Sequence, residues 1–509
     1  MVFGSSYLQK GIKMKQKIIN YIRAGYSGLY LVSPEEQRVE AEIKQVAQEL
    51  QYHLHFWSVV NGLIDTVGKV INAEDPMEVL NKIDELPERT IVLLKDYHLF
   101  LADANPVLIR QLKDVLINAK TKNKTLIVLG CRLCLPPELE HELTVLEFAL
   151  PSKDQLVPVL DGIVESASLQ PITGEARDKV LDSACGLTTI EAENAFALSV
   201  VKSKEIDPNI VASEKAQVVK KNGLLEIIET TETLETIGGL DVLKNWLLKR
   251  RRAYTHEAVE FGLPVLKGLM ITGIPGTGKS LTAKATAKVF GVPLLKLDSG
   301  RIFAGLVGQS EANLRSVIQT AEAIAPCVLW IDELEKGFAG LKSSGSTDGG
   351  TSSRVFGSFI SWMQEKTKPV FIVATANDVT KLPPEMLRKG RFDEMFFVDL
   401  PNLAEREAIW KIQISKHGRD PKDYDLIQLA RMTEGLTGSE IEAVFVEALF
   451  DGFDQGKEPE DLTIANVLTG FVPLSKTMSE PIEELRKWAK GRAKYATTQT
   501  METKLRKVA

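Results

Sequence analysis

Residues Gly273 to Ser280 read GIPGTGKS, directly after the apolar run GLMIT and directly before LTAKATAKVF. The order G-x-x-x-x-G-K-[ST] between a strand and a helix is what a phosphate-binding loop requires. Gly276 and Gly278 let backbone N–H groups approach an anion, and the helix N-terminus adds its dipole. Lys279 reaches β- and γ-phosphates, and Ser280 can ligate Mg²⁺. The candidate nucleotide-binding set is therefore Pro275, Gly276, Thr277, Gly278, Lys279, Ser280 and Leu281.

Further along, VLWIDE places Asp332 and Glu333 at the exit of an apolar strand, where ligands bind in α/β sheets. Beside a phosphate loop the two acids divide the work: Asp332 holds the magnesium through water, and Glu333 polarises the attacking water as general base. Alone, such a pair would only be solvated. At the end of the next apolar run, VATAN puts Asn377 in reach of a γ-phosphate as a neutral donor that orients water. Then comes LRKGRFD, with Arg388 and Arg391 too far along the chain to be needed by their own phosphate. Presented by a neighbouring subunit, they would stabilise transition-state charge; without the surrounding motifs they would read as two surface arginines.

These groups need strands to aim them, and the chain supplies the same set of strands twice. Residues 133–151, LCLPPELEHELTVLEFALP, resemble residues 380–401, TKLPPEMLRKGRFDEMFFVDLP. GLTTIEAENAFALSVV, from Gly186, resembles GLTGSEIEAVFVEALF, from Gly435, and TIVLLKD, ending at Asp96, resembles CVLWIDE around Asp332. Three collinear matches predict one fold used twice. In the first copy, strands are expected at Gly28–Val32, His55–Val59, Thr90–Leu94 and Thr125–Leu129, separated by helices that include Glu35–Leu50 and Pro106–Ala119. In the second they are expected at Gly268–Thr272, Pro293–Leu297, Val328–Ile331, Val370–Ala374 and Met395–Val398. Alternation of strands and helices implies a mainly parallel sheet, and hence an α/β fold.

The expected boundaries are a disordered leader or misassigned start at 1–13, ahead of Met14; a first domain at 14–201; a charged linker at 202–234; a large subdomain at 235–401; a helical lid at 402–473; and a C-terminal helix with basic tail at 474–509. The Gly/Ser-rich stretch at 340–353 reads as a mobile loop, most simply a passive one.

With 509 residues, several domains fit. At 44% hydrophobic and 26% charged residues the composition is that of a globular protein. A net charge of −6 gives no global basic footprint, so nucleic acid is not an expected partner. No run is long and apolar enough for a membrane helix. The four cysteines, Cys131, Cys134, Cys185 and Cys327, are too few for a disulfide scaffold, which favours a reducing compartment. Cys131 and Cys134 form a lone C-x-x-C, for which zinc is the less favoured reading. The basic residues from Arg486 to Lys507 read as a solvated helix covering the lid, with a nucleic-acid contact the less favoured reading.

Taken together, these motifs resemble those of AAA ATPase modules, over residues 235–473. The resemblance includes ETIGGL, where Ile237 and Gly238 fall where the family contacts adenine. It includes the Walker A and Walker B motifs, Asn377 as sensor and both arginines. Gly438 and Ser439 fall at the lid's nucleotide-side position. Including PLSKTMSEPIEEL after the lid, the whole chain resembles the AAA ATPases of cyanobacteria and red-algal plastids known as hypothetical chloroplast reading frame proteins. The fold thus implied is two tandem AAA-like P-loop domains, each a parallel sheet flanked by helices with a helical lid, the first degenerate. The cofactors implied are ATP and Mg²⁺. The partners implied are further copies of the chain in a ring, a hexamer by resemblance, and an unidentified protein client. The location implied is the cytoplasm or the chloroplast stroma, with a loose link to photosynthesis and inorganic carbon use.

Two departures bear on mechanism. Leu306, Val307 and Gly308 stand where polypeptide-threading relatives carry an aromatic-hydrophobic-glycine triplet, so limited pulling is expected instead of complete translocation. Gln413 stands at the family's lid histidine. The first half departs further, because GLYLVS runs into Pro34, Glu35 and Glu36, where acids repel phosphate. Asp96 is followed by Tyr97, not an acid, and ELEHELTV lacks the glycine-arginine pair. The expected role of such a copy is to bind partners or build the assembly. The expected activity is ATP hydrolysis coupled to remodelling of a protein partner, with a slow ATP-gated scaffold as the alternative.

Overall fold

The computed structural model describes residues 14–498 apart from 103–104, 222, 304–308, 339–348 and 389. The leader, the Leu306–Gly308 triplet and most of the Gly/Ser-rich stretch lie outside the described residues. The chain divides into two compact units between Val211 and Ala212.

Seven strands form the first unit's sheet: β1 (Gly28–Val32), β2 (His53–Ser58), β3 (Gly62–Asp65), β4 (Val70–Ile71), β5 (Thr90–Lys95), β6 (Thr125–Gly130) and β7 (Thr144–Glu147). Seven more form the second: β8 (Leu225–Ile228), β9 (Gly268–Gly273), β10 (Leu294–Leu297), β11 (Cys327–Ile331), β12 (Val370–Ala376), β13 (Glu394–Val398) and β14 (Lys494–Tyr495). The sheets run β4-β3-β2-β5-β6-β1-β7 and β14-β13-β9-β12-β11-β10-β8. Their parallel centres, β2-β5-β6-β1-β7 and β10-β11-β12-β9-β13, have the same order, so one topology is used twice.

The central strands read as unbroken apolar runs because both faces of each sheet are covered. In the second sheet Met270, Leu329, Ile331 and Ile372 pack into one layer, while Leu269, Ile271, Val328, Trp330 and Phe371 pack into the other. This is the two-residue period of a strand sorted into two cores. Phe371 is fully buried, with Phe290 edge-on at 5.0 Å and Trp246 at 6.4 Å. Truncation to alanine there opens a large cavity. Phe371→Ala should therefore cost about 3–5 kcal/mol of stability, measured by denaturant unfolding of the full chain. A loss under about 1 kcal/mol would contradict this packing.

Each unit carries helices after its last central strand. In the first these are Lys153–Ser166, Gly174–Ala184 and Thr189–Ser203; in the second, Leu403–Lys416, Leu426–Met432, Gly438–Asp454 and Asp461–Thr469. Thr188 caps Thr189–Ser203 and Thr437 caps Gly438–Asp454, each in a capping box closed by Glu191 or Glu440. Ile441, Val444, Phe445 and Ala448 recur at helical spacing and form that lid's core with Trp410 and Ile464.

Three readings of the sequence need correction. The stretch expected to be a charged linker contains the helix Pro208–Lys221 and β8. Val219, Leu224 and Leu225 are buried in the second unit's core, and β8 pairs antiparallel with β10 to close a sheet edge. Among the described residues the tail packs mainly on the sheet: the helix Ser479–Ala489 lays Leu485 and Trp488 against the second sheet's core, β14 extends that sheet beside β13, and Thr497 reaches a lid helix, donating to Glu405 Oε1. Finally, Asp96 is not the counterpart of Asp332. Register pairs Ile91 with Thr125 and Leu126 with Gly28, as it pairs Val328 with Phe371 and Ile372 with Gly268. Lys95 therefore stands where Asp332 stands, and Asp96 where Glu333 stands. Both of those last residues have positive φ, 53° and 48°.

Candidate nucleotide site

β9 ends at Gly273 and the helix Lys279–Phe290 begins six residues later, so the loop between them must turn sharply. Gly276 has φ 76° and Gly278 has φ 90°, the left-handed region that glycine occupies without strain. At Gly276 a Cβ would lie 2.1 Å from the Ser439 Oγ, so any side chain there would force the Ser439 hydroxyl or the loop to move. The contact is close because Ser439 N–H donates to the Gly276 carbonyl at 3.1 Å.

Lys279 is buried, its Nζ donating to the carbonyls of Gly273 at 2.9 Å and Ile274 at 2.7 Å. Burial lowers its pKa to about 8, against the nearby acids Glu335, Asp332 and Glu333, which raise it. Ser280 Oγ donates to Asp332 Oδ1 at 3.2 Å, which joins the two residues expected to hold Mg²⁺. Hydroxyl and carboxylate oxygens are the donors a small hard cation takes. The loop and this oxygen pair thus fit Mg²⁺ and a triphosphate.

Asn377, just past β12, donates from Nδ2 to Glu333 Oε1 at 3.1 Å. Two groups that the sequence reading missed hold this pair. Thr375 Oγ1 donates to Asp332 Oδ1 at 2.6 Å and accepts from Glu333 N–H at 3.0 Å, tying both acids to β12. Glu335 Oε1 accepts the Asn377 N–H at 3.0 Å, and burial pushes the Glu335 carboxyl up. The signal was present, because Thr375 lies in VATAN and Glu335 in DELE. What only the sheet reveals is that neighbouring strands β11 and β12 bring them together. Lys336 forms an ion pair with Glu333.

The cleft has a volume of about 490 Å³ and is lined by Ile237, Gly238, the loop from Pro275 to Leu281, Asp332, Glu333, Asn377, Gly438 and Ser439. Every candidate binding residue from the sequence thus meets at one place, as do the two acids and Asn377. Gln413 lines it too, with a buried Oε1 lacking a hydrogen-bond partner. Also absent from the sequence reading were Ile409 and Glu405. A Cβ on Gly238 would lie 2.4 Å from Ile409 Cγ1, and Glu405 Oε1 accepts the Leu240 N–H at 3.0 Å. Arg388 and Arg391 do not line the cleft; Arg388 is exposed and Arg391 half-buried.

Outside this cleft, Cys131 Sγ lies 3.8 Å from His98 Nε2. Among the described residues no three His, Cys, Asp or Glu side chains are grouped to hold a metal ion. Among them, too, no helix is long and apolar enough to cross a membrane.

Comparison with known proteins agrees with this geometry. Residues 269–400 match the ATPase family associated with various cellular activities (AAA). Residues 14–148 match the N-terminal domain, and 154–222 the second domain, of SpoVK-like AAA ATPases. The AAA domain-containing protein ycf46 of Trieres chinensis is 40% identical over 499 residues, covering 96% of this chain and 99% of that protein. Its counterpart in Guillardia theta is 39% identical over 476 residues, covering 92% and 93%. That of Pyropia yezoensis is 39% identical over 487 residues, covering 94% and 98%. With such identity running along nearly its whole length, and a phosphate loop folded against a lid, the chain belongs to the AAA ATPase family, alongside the ycf46 AAA-domain proteins.

Proposed function

We propose that the chain hydrolyses ATP in the cleft of its second unit and uses the turnover, as an oligomeric ring, to remodel a protein partner. The observation that carries this reading is the joining of Ser280 to Asp332 and of Glu333 to Asn377 around one phosphate loop. In it, Lys279 and the loop N–H groups hold the β- and γ-phosphates, and Ile237 and Gly238 hold the base. Mg²⁺, held by Ser280 and Asp332, would neutralise developing charge on the phosphates. Glu333 accepts a proton from the attacking water, whose position Asn377 Nδ2 sets. Thr375 and Glu335 keep that pair in place, and Arg388 and Arg391 reach a neighbouring copy's site. Cytoplasm or stroma is the proposed location, with a part in photosynthesis or inorganic carbon use.

A second reading, a slowly turning ATP-gated scaffold, draws on the Lys336 ion pair, which offsets the charge of the proposed base. ATPase rate with and without candidate partners separates the two, since a remodeller is stimulated and a switch need not be.

Lys279 provides the first test. Purified Lys279→Ala protein should have no ATPase activity above background, and residual turnover would refute the site. Its lowered pKa adds a pH signature. Phosphate binding requires the ammonium, which in the free cleft is fully present only well below pH 8 and is lost as pH rises through that value. Bound phosphate would hold the proton on. The affinity for ATP should therefore fall roughly tenfold per pH unit above about pH 8, measured by titration with a fluorescent nucleotide. A flat profile up to pH 9.5 would show that burial does not lower the Lys279 ammonium to that value in the free cleft.

A further inference from the structure

The first unit has the same sheet order and the same capped lid helix as the second, but its charges at the corresponding positions are exchanged. Between β1 and the helix Glu36–Leu50 lie only Ser33, Pro34 and Glu35, against Ile274 to Gly278 in the second unit. Three residues cannot wrap an anion as five do. Where Lys279 opens its helix, Glu36 opens this one; where Asp332 follows β11, Lys95 ends β5. Lys95 Nζ sits 3.1 Å from Glu36 Oε1 and also pairs with Glu40. An internal ion pair therefore stands where the second unit joins a phosphate loop to a metal-holding acid.

Glu35 completes the exchange. It is buried at 4% exposure and occupies the cap position of its helix, as Gly278 does in the second unit. Its Oε1 accepts the backbone N–H of Thr189, the first residue of the lid helix, and its Oε2 lies 3.3 Å from the Thr189 hydroxyl. Arg38 pairs with the same carboxylate, stacks 4.6 Å from the Phe148 ring centroid and donates to the Ala149 carbonyl. A carboxylate at a helix N-terminus meets unpaired N–H groups and a favourable dipole, as a phosphate would. In the second unit the lid helix reaches the loop through a backbone carbonyl, Ser439 N–H to Gly276 O.

We infer that the first unit's cleft is a nucleotide site converted into a permanent latch, in which the Glu35 carboxylate replaces a phosphate and fixes the lid to the sheet without any ligand. The latch holds the lid in one position whatever the nucleotide, so the first unit does not cycle. Arg38 neutralises the buried carboxylate and extends the hold to the strand-to-lid connection at Ala149. The inference is independent of hydrolysis in the second unit, because it concerns residues of the first alone.

The test is hydrogen exchange by mass spectrometry on full-length protein, following a peptide that covers residues 186–195. In Glu35→Ala the early amides of this peptide should exchange about tenfold faster than in wild type. Basal ATPase should stay within about twofold, since Glu35 lies outside the site of turnover. Should Glu35→Ala fail to fold, Glu35→Gln carries the test, because it keeps the volume and one acceptor oxygen and loses the charge facing Arg38. It should speed the same amides about threefold. Unchanged exchange in the folded variant would overturn the latch.

Discussion

Glu333→Gln should bind ATP with near wild-type affinity and hydrolyse it about 10²- to 10⁴-fold more slowly, the range for losing a general base. Glutamine keeps the size of the side chain and an acceptor oxygen for Asn377 Nδ2, which now donates to Glu333 Oε1 at 3.1 Å. The glycines and Lys279 that would hold phosphate are untouched, so binding and turnover should separate. Lys279→Ala should lose both together. Two measurements decide the matter, nucleotide affinity by titration and phosphate release under saturating ATP. A Glu333→Gln rate above about a tenth of wild type would remove Glu333 from the role of base, given the size of effect expected for that role. If the assignment holds, the variant is also the reagent for finding the client. A protein arrested with ATP bound should retain partners that the cycling enzyme releases, and a pull-down comparing the two would name them.

Arg388→Ala should lower turnover by about 10³-fold or more, the contribution of an arginine finger, while leaving ATP affinity nearly unchanged. Arg388 is exposed and Arg391 half-buried, and neither lines its own cleft, as groups serving another copy's site would be arranged. Their loop is nonetheless held firmly. Asp393 Oδ2 accepts the N–H groups of Lys267 at 2.8 Å and Gly268 at 3.0 Å, and Lys267 Nζ donates to the Gly390 carbonyl at 2.7 Å. Mixing Glu333→Gln with Arg388→Ala protein creates interfaces in which one copy supplies the base and the other the arginine. Activity should return in the mixture although each variant alone is inactive. Subunits shown to co-assemble without any recovery would rule out action in trans.

Much of this protein could be read along the chain. The spacing of GIPGTGKS, the acids of VLWIDE and the asparagine of VATAN picked out residues that line one cleft, because each lies within a few residues of the strand end that aims it. Duplication was legible for a similar reason. Central strands covered on both faces must be apolar throughout, so β1, β5 and β6 declare themselves as runs, and their ends agree with expectation to within a residue. Edges were harder to see. β8 and β14 are short, half-exposed strands whose pairing comes from β10 and β13, distant in sequence, so charged composition hid them.

The register between halves was misread for lack of the partner strand. Aligning aspartate with aspartate is natural on paper, but the register between β5 and β6 makes Lys95 the equivalent of Asp332. Thr375 and Glu335 escaped notice for the same reason, since their roles exist only when β11 lies beside β12. That one half carries a phosphate loop and the other does not could be read along the chain, because backbone approach to an anion depends on glycines and charge that are local. The partners of the first half's acids become visible only in the folded chain. Glu35 and Thr189 lie far apart in sequence, and a carboxylate that looks merely repulsive beside its own strand becomes a lid-holding group once folding brings the helix N-terminus to it.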